Sequence, residues 1–423
     1  MALTSGPAFF PGHDHLRSVP RASGRPEDSG NVSAPVADQA RGAFADIDLS
    51  VIQRTFAPVL TAPESAIEYL FAQLFVRSPE LRSLFPLSMT SVRAEADASI
   101  SRLFGSIGSL AEHRDLLGEM ARLVRRHGIG RDHYPLFADA LVATLEQLNG
   151  VAWTPQAERA WRELTGHLGA IMCAAAEADA RRQPAWWVGE IVQHELRTPT
   201  IAMITIRPDQ PLRYRPGQFV GAQVDRWPRV WRDYSVANAP RENGLLDLHV
   251  RAVPGGMVSN FLVSHSGPGD TVILSAARGG MRVDPDDQRD LVCVAGGTGL
   301  APLKALIESV IGASGHGRRR RISLYLAARR EEDFYDSRDL DALALAYPAL
   351  TVTRVLDGAG DATPGAAITG AVAVRHPSFR DTDVYLAGPE AMIGSLRRAL
   401  ADRVPASRVH YDSFGPLAAA NSD

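Results

Sequence analysis

Three stretches of this 423-residue chain have residue types and spacings suited to redox chemistry with phosphorylated cofactors. The first is Arg232-Asp233-Tyr234-Ser235, followed by His249-Val250-Arg251 and then Gly255-Gly256-Met257-Val258-Ser259. A guanidinium neutralises a pyrophosphate, an aromatic ring covers a flat heterocycle, and a hydroxyl hydrogen-bonds a ring nitrogen. Glycine ahead of a helix start leaves backbone N–H groups open to phosphate. These are the needs of a flavin dinucleotide. Arg-x-Tyr-Ser alone suits an exposed strand end equally well; the Gly-Gly-x-x-Ser loop downstream is what favours flavin. The second stretch, Gly296-Gly297-Thr298-Gly299, lies between a buried run (Leu291 to Ala295) and a helix from Pro302, where glycine permits close approach to a pyrophosphate. It is not the G-x-G-x-x-G fingerprint and is weak by itself. The third, Ala387-Gly388-Pro389-Glu390-Ala391-Met392, again sits between strand and helix, at the edge where parallel sheets bind ligands. Near the end, His410-Tyr411-Asp412-Ser413-Phe414 offers an aromatic for the flavin face; the alternative is a terminal strand packing Phe414 into the core.

The elements that must hold these groups follow from composition and period. At 45 % apolar and 22 % charged residues, the chain is an ordinary globular mix long enough for two to four domains. A net charge of −3 argues against nucleic-acid binding through bulk positive charge. Two cysteines, Cys173 and Cys293, exclude a disulfide framework or a four-cysteine metal site within one chain. No apolar run reaches membrane-spanning length, so a cytoplasmic protein without a membrane partner is expected. Residues 1–45, rich in Pro, Gly, Ser, Ala and Arg, are expected to form a disordered arm. Helical spacing (Ile67, Leu70, Phe71, Leu74, Phe75; Leu136, Phe137, Ala140, Leu141, Leu145) predicts an all-α domain over 46–182. Short β-branched runs between Pro/Gly turns predict an antiparallel barrel over 183–288, and strand–helix alternation an α/β parallel-sheet domain over 289–416, with a tail at 417–423.

Residues 186–416 resemble the ferredoxin–NAD(P)+ reductase family, and the order helical domain, flavin barrel, nucleotide domain resembles the flavohaemoglobins. The resemblance implies FAD held by Arg232, Tyr234, Ser235, His249, Arg251, Gly256, Val258, Ser259 and Phe414. It implies a pyridine nucleotide held by Gly296, Gly297, Thr298, Gly299, Gly388, Pro389 and Met392, with Asp412 and Phe414 at the flavin. Ser235, Tyr234, Thr298 and Asp412 take the catalytic roles. Ala387 replaces the family cysteine, which implies slower hydride transfer rather than its loss. Arg329-Arg330 and Glu331-Glu332 carry both signs where a ribose 2′-phosphate or 2′-OH is read; NADH is favoured by resemblance, with NADPH left open.

The helical domain departs from its family. Phe85 matches the aromatic that wedges haem, but the proximal-histidine position falls on Val124, the distal tyrosine on Phe71, the distal glutamine on Val92 or Glu95, and the histidine-orienting carboxylate on Ala178, beside Glu177. An aliphatic side chain has no lone pair for iron. No metal site is therefore expected and haem b is expected to be absent. His127 is the one rescue, through a register shift; the reading preferred for it, in Arg125-Arg126-His127-Gly128, is a solvated or helix C-terminal histidine beside a glycine stop. The leading expectation is an NAD(P)H-dependent FAD oxidoreductase passing electrons to an unknown acceptor, such as a partner oxygenase or haem protein. The alternatives are a flavohaemoglobin with nitric oxide dioxygenase activity through His127, and a globin-like sensor or docking module gating the reductase.

Overall fold

The computed structural model describes residues 47–105, 114–284, 287–313, 319–356, 365–376 and 378–412. The expected arm at 1–45, the tail at 417–423 and Phe414 lie outside these described residues.

Helices come first: α1 (Leu49–Thr61), α2 (Pro63–Arg77), α3 (Thr90–Gly105), α4 (Arg114–Arg125), α5 (Tyr134–Asn149) and α6 (Pro155–Ala180). Their starts are written locally. Asp48 accepts from the amides of Ser50 and Val51 ahead of α1, and Thr154 accepts from the Ala157 amide with Pro155 in the first turn of α6. Two apolar clusters hold the helices together. One packs Phe56, Phe104 and Trp161 between α1, α3 and α6, with the Trp161 indole donating to Thr55 Oγ1 at 2.8 Å. The other surrounds Phe71, Leu74, Leu81, Phe85 and Ile129, and Val92 and Val124 pack against it.

A six-stranded antiparallel sheet follows: β1 (Trp186–Thr198), β2 (Ile201–Pro208), β3 (Phe219–Val224), β4 (Arg232–Ser235), β5 (Leu246–Arg251) and β6 (Thr271–Ser275), in the order β4-β3-β6-β1-β2-β5. A bridge between Val236 and Leu248 brings the two edge strands together, so the sheet nearly closes as a barrel. Alternation turns Ile204, Ile206, Val220, Ala222, Val224, Leu246 and Leu248 inward. α7 (Met257–Ser264) caps this core with Val258 and Leu262.

The last unit is a five-stranded parallel sheet of β7 (Asp290–Gly296), β8 (Ile322–Ala328), β9 (Leu350–Leu356), β10 (Thr382–Ala387) and β11 (Val409–His410), in the order β11-β10-β7-β8-β9. Helices α8 (Leu300–Ala313) and α9 (Ser337–Ala346) cover one face, and α10 (Ala366–Arg375) and α11 (Glu390–Leu400) the other. β7 shows the two-sided burial: Leu291, Cys293 and Ala295 face the first pair, Val292 and Val294 the second. β8 and β10 flank β7 on opposite sides, so the chain reverses direction across the sheet there, and the carboxyl ends of β7 and β10 form a switch-point crevice. At the seam with the barrel, Lys304 of α8, the only lysine of the chain, is sealed against Asp336 at 2.7 Å and Asp339 at 3.6 Å; Asp339 also reaches Arg197 of β1 at 3.1 Å.

Candidate active site

β4 is an edge strand only four residues long, paired to β3 with Val220 opposite Tyr234 and Ala222 opposite Arg232. Alternation sends Arg232 and Tyr234 to one side of it and Asp233 and Ser235 to the other. All four nevertheless line one cleft. Arg232 is oriented by an Nη1 bond to the Trp231 carbonyl (2.8 Å). Burial pushes the Tyr234 phenol up, so it stays protonated. His249 on β5 is buried and borders the cleft; its Nδ1 meets the Tyr335 hydroxyl at 2.8 Å, while its buried Nε2 has no partner. Desolvation, with Lys304 and Arg197 nearby, drives its proton affinity well down, leaving the ring neutral.

The loop before α7 turns through Gly255 at φ +73°. A Cβ on Gly256 would sit 2.5 Å from Ser259 Oγ and from Val253, so glycine is required for the loop to close on the helix. Asn260, unmarked in the sequence, ties the loop by donating to the carbonyls of Val253 (2.7 Å) and Gly256 (2.6 Å). The Ser259 hydroxyl turns back to the Gly256 carbonyl at 3.4 Å. Gly256, Val258 and Ser259 thus lie behind the wall, whereas Arg251 and Val253 are on it.

The two nucleotide-side loops meet backbone to backbone. A Cβ on Gly299 would lie 2.3 Å from the Ala387 carbonyl oxygen, one on Gly388 would lie 2.8 Å from the Gly296 nitrogen, and one on Gly296 would strike Pro389 and Met392. Glycine makes this approach possible, and Thr298 is carried to its mouth. Asp412 reaches in from beyond β11: its Oδ1 accepts from the Gly280 amide at 3.1 Å, and burial raises its carboxyl against the lowering effect of that bond. Arg232, Tyr234, Ser235, His249, Arg251, Gly296, Gly297, Thr298, Gly299, Gly388, Pro389, Met392 and Asp412 share one cleft of roughly 1430 Å3, which also receives Arg329 and Asp333. A site for one small molecule is about 300–1,000 Å3, so this one has room for more than one.

Comparison with known proteins gives the same order of parts. Residues 68–172 match the Globin family, 190–282 the Oxidoreductase FAD-binding domain and 293–398 the Oxidoreductase NAD-binding domain. The flavohemoprotein of Bordetella pertussis is 28 % identical over 406 residues, spanning 87 % of this chain and 98 % of that one. The ferredoxin–NAD(P)(+) reductase component of the naphthalene 1,2-dioxygenase/salicylate 5-hydroxylase systems of Ralstonia sp. is 32 % identical over 232 residues, 54 % of this chain and 69 % of that one. The chain belongs to the flavohaemoglobin family. This flavohaemoglobin-family chain is an oxidoreductase with FAD- and NAD-binding domains behind a globin domain. The crystal structure of flavohemoglobin from Malassezia yamatoensis, with bound FAD and heme, shares the fold at a TM-score of 0.70 and 17 % identity, covering 86 % of this chain and 98 % of that one.

In the globin domain of this flavohaemoglobin-family chain, the positions matched to the family's haem-binding residues lie in or against one apolar cluster. Val124, Phe71 and Val92 belong to the same apolar cluster as Phe85, whose ring lies 5.6 Å from that of Phe71. The carboxylates beside Ala178 are engaged elsewhere, Glu177 with Arg131 and Asp179 with Arg125. The Tyr134 hydroxyl is buried without a partner. His127 follows the end of α4, just before Gly128 at φ +82°, as a helix C-terminal residue beside a glycine stop. It is not solvated, however. It stacks on Phe85 (6.2 Å) and meets Trp231 edge-on (6.4 Å) at the border with the barrel, and its Nε2 accepts from Arg126 Nε at 3.3 Å. That bond occupies a ring lone pair, and Nδ1 is buried without a bond. Arg126 is buried as well, its side chain 3 % exposed.

Desolvation first, then Arg126 and Arg278, push the His127 imidazole from 6.5 down to about 3. The unfolded chain takes up this proton near 6.5 and the folded chain does not, so the stability is complete above pH 6.5 and is lost as pH falls toward 3. Wild-type protein should lose on the order of 2 kcal/mol more than His127→Gln on going from neutral pH to about pH 5. Urea unfolding at both pH values measures the difference; equal losses would show that the ring is not neutral in the fold.

Proposed function

We propose that the chain takes hydride from NADH at FAD and passes electrons to an acceptor outside the polypeptide, without haem. The observation that carries this reading is the meeting of Arg232, Tyr234, Ser235, Thr298, Gly388 and Asp412 in one cleft. The residues fit both dinucleotides: a cation held outward by Trp231, glycine loops that any Cβ would fill, and a buried His249 Nε2 lacking a partner. FAD, when bound, supplies the two-electron-to-one-electron conversion. Arg232 neutralises its pyrophosphate, Tyr234 covers the ring, and Ser235 offers a hydroxyl to the N5 edge. Thr298 borders the nicotinamide, the Gly296–Gly299 and Gly388 loops receive its phosphates, and Asp412 polarises the far side of the flavin. Alignment and exclusion of water are the protein's part.

The residues do not fit haem. Val124 cannot ligate iron, and the Nε2 of His127 is already committed to Arg126. The globin domain is therefore read as a docking or stabilising part of the reductase. A soluble redox protein is the favoured acceptor, since the Ralstonia relative is the reductase component of dioxygenase and hydroxylase systems. Purified protein should show flavin absorption bands bleached by NADH under argon, with no strong violet Soret band. Stoichiometric porphyrin, lost in His127→Ala, would instead establish a nitric oxide dioxygenase ligated through His127.

A further inference from the structure

The border between the globin domain and the barrel contains a buried guanidinium that the reaction as described does not use. Arg126 sits past the end of α4 with its side chain 3 % exposed. Its Nη2 donates to both carboxylate oxygens of Glu95 on α3 (3.2 Å each), its Nε to His127, and its plane covers the Trp231 ring at 5.1 Å. Its Nη1 lies 3.9 Å from Asp233 on β4 and makes no hydrogen bond. Asp233 is held at 2.7 Å by Arg278, which lies over Phe219. On the barrel side the space for Nη1 exists because residue 221 is glycine: a Cβ there would stand 3.0 Å from Nη1.

A desolvated guanidinium is stable only against compensating charge and a ring face, and here the compensation comes from two domains, Glu95 on one side and Asp233 with Trp231 on the other. Those barrel residues flank Arg232. Trp231 holds Arg126 by its ring and Arg232 by its carbonyl, while Asp233 lies between Arg232 and Tyr234. We propose that Arg126 is a positioning residue of the flavin site: through Trp231 and Asp233, the globin domain sets the strand that presents Arg232 and Tyr234. This rests on the reading that the cleft takes FAD. It makes the globin domain a working part of the reductase even without an iron centre.

The test uses the full chain, stripped of flavin and titrated with FAD by fluorescence quenching, with NADH-driven flavin reduction followed by stopped flow at saturating FAD. Arg126→Met should weaken FAD at least ten-fold, about 1.4 kcal/mol. It should also slow flavin reduction several-fold and shift the visible flavin spectrum. Arg126→Lys keeps charge but not the planar fork and should fall between Arg126→Met and wild type. Gly221→Ala, whose Cβ would stand 3.0 Å from the guanidinium and from Ser275 Oγ and 3.2 Å from Trp231, should reproduce the loss, and Arg126→Lys carries the test if Arg126→Met does not fold. Arg162→Met, an exposed pair on the globin domain, should leave every reading unchanged. Variants that fall only in melting temperature, with wild-type FAD affinity, spectrum and reduction rate, would overturn the proposal. A wild-type chain that binds no FAD would overturn the cleft reading instead.

Discussion

Arg232→Ala should leave a folded chain that has lost most of its FAD and, with it, most NADH oxidation. The guanidinium is already oriented by the Trp231 carbonyl on the cleft wall, so its placement is set before any ligand binds. Removing one side of a charge-assisted contact in a partly desolvated site costs about 2–5 kcal/mol, which is roughly thirty-fold to several-thousand-fold in affinity. Isothermal titration of the flavin-free protein measures the affinity, and added FAD should partly restore turnover. Ser235→Ala should retain FAD but slow reduction about ten-fold, since it removes a single hydrogen bond of roughly 1–1.5 kcal/mol. The contrast separates binding from chemistry. Wild-type turnover in both variants without added FAD would remove the flavin assignment from β4.

The second large effect belongs to Gly299. Its Cβ would meet the Ala387 carbonyl oxygen at 2.3 Å, the carbonyl carbon at 2.4 Å and the Gly388 nitrogen at 2.6 Å. All three are main-chain atoms at the end of β10, so nothing yields by a rotamer change. Gly299→Ala should cost about 3 kcal/mol or more, lower the melting temperature by on the order of 10 °C, and abolish saturable NADH binding, because the α8 N-terminus is pushed off the β10 end. Gly370→Ala is the matched control: that helical glycine faces open space, and alanine there should be neutral or stabilise by up to about 1 kcal/mol. Calorimetry on the pair reads the difference, and equal melting temperatures would mean that the two loops do not touch.

The fold class was legible because each unit advertises its period. Apolar spacing of three and four marks α2 and α5, and a buried run against glycine and then a helix marks β7 with α8. Much of the cleft was legible for a related reason: loops at strand ends must carry glycine or proline wherever backbones approach, and those residues are visible in one dimension. Contacts between units were not. Nothing in the sequence marks Arg126 for burial, and only its placement against Trp231, Asp233 and Gly221 shows it to be sealed. The same holds for the bond between His249 and Tyr335, which joins β5 to the nucleotide unit across 86 positions of sequence. Ser259 matched a motif, yet its hydroxyl closes its own loop; spacing cannot tell which way a side chain turns.

The burial of Lys304 against Asp336 and Asp339 has a practical consequence for finding whatever receives the electrons. The chain carries no second lysine, so reagents that couple through side-chain amines have no exposed handle on it. A transient complex with an electron acceptor would escape lysine-to-lysine crosslinking. Trapping it calls for carbodiimide coupling of this chain's surface carboxylates to lysines of the acceptor, or for a photoactivated probe installed at the cleft rim.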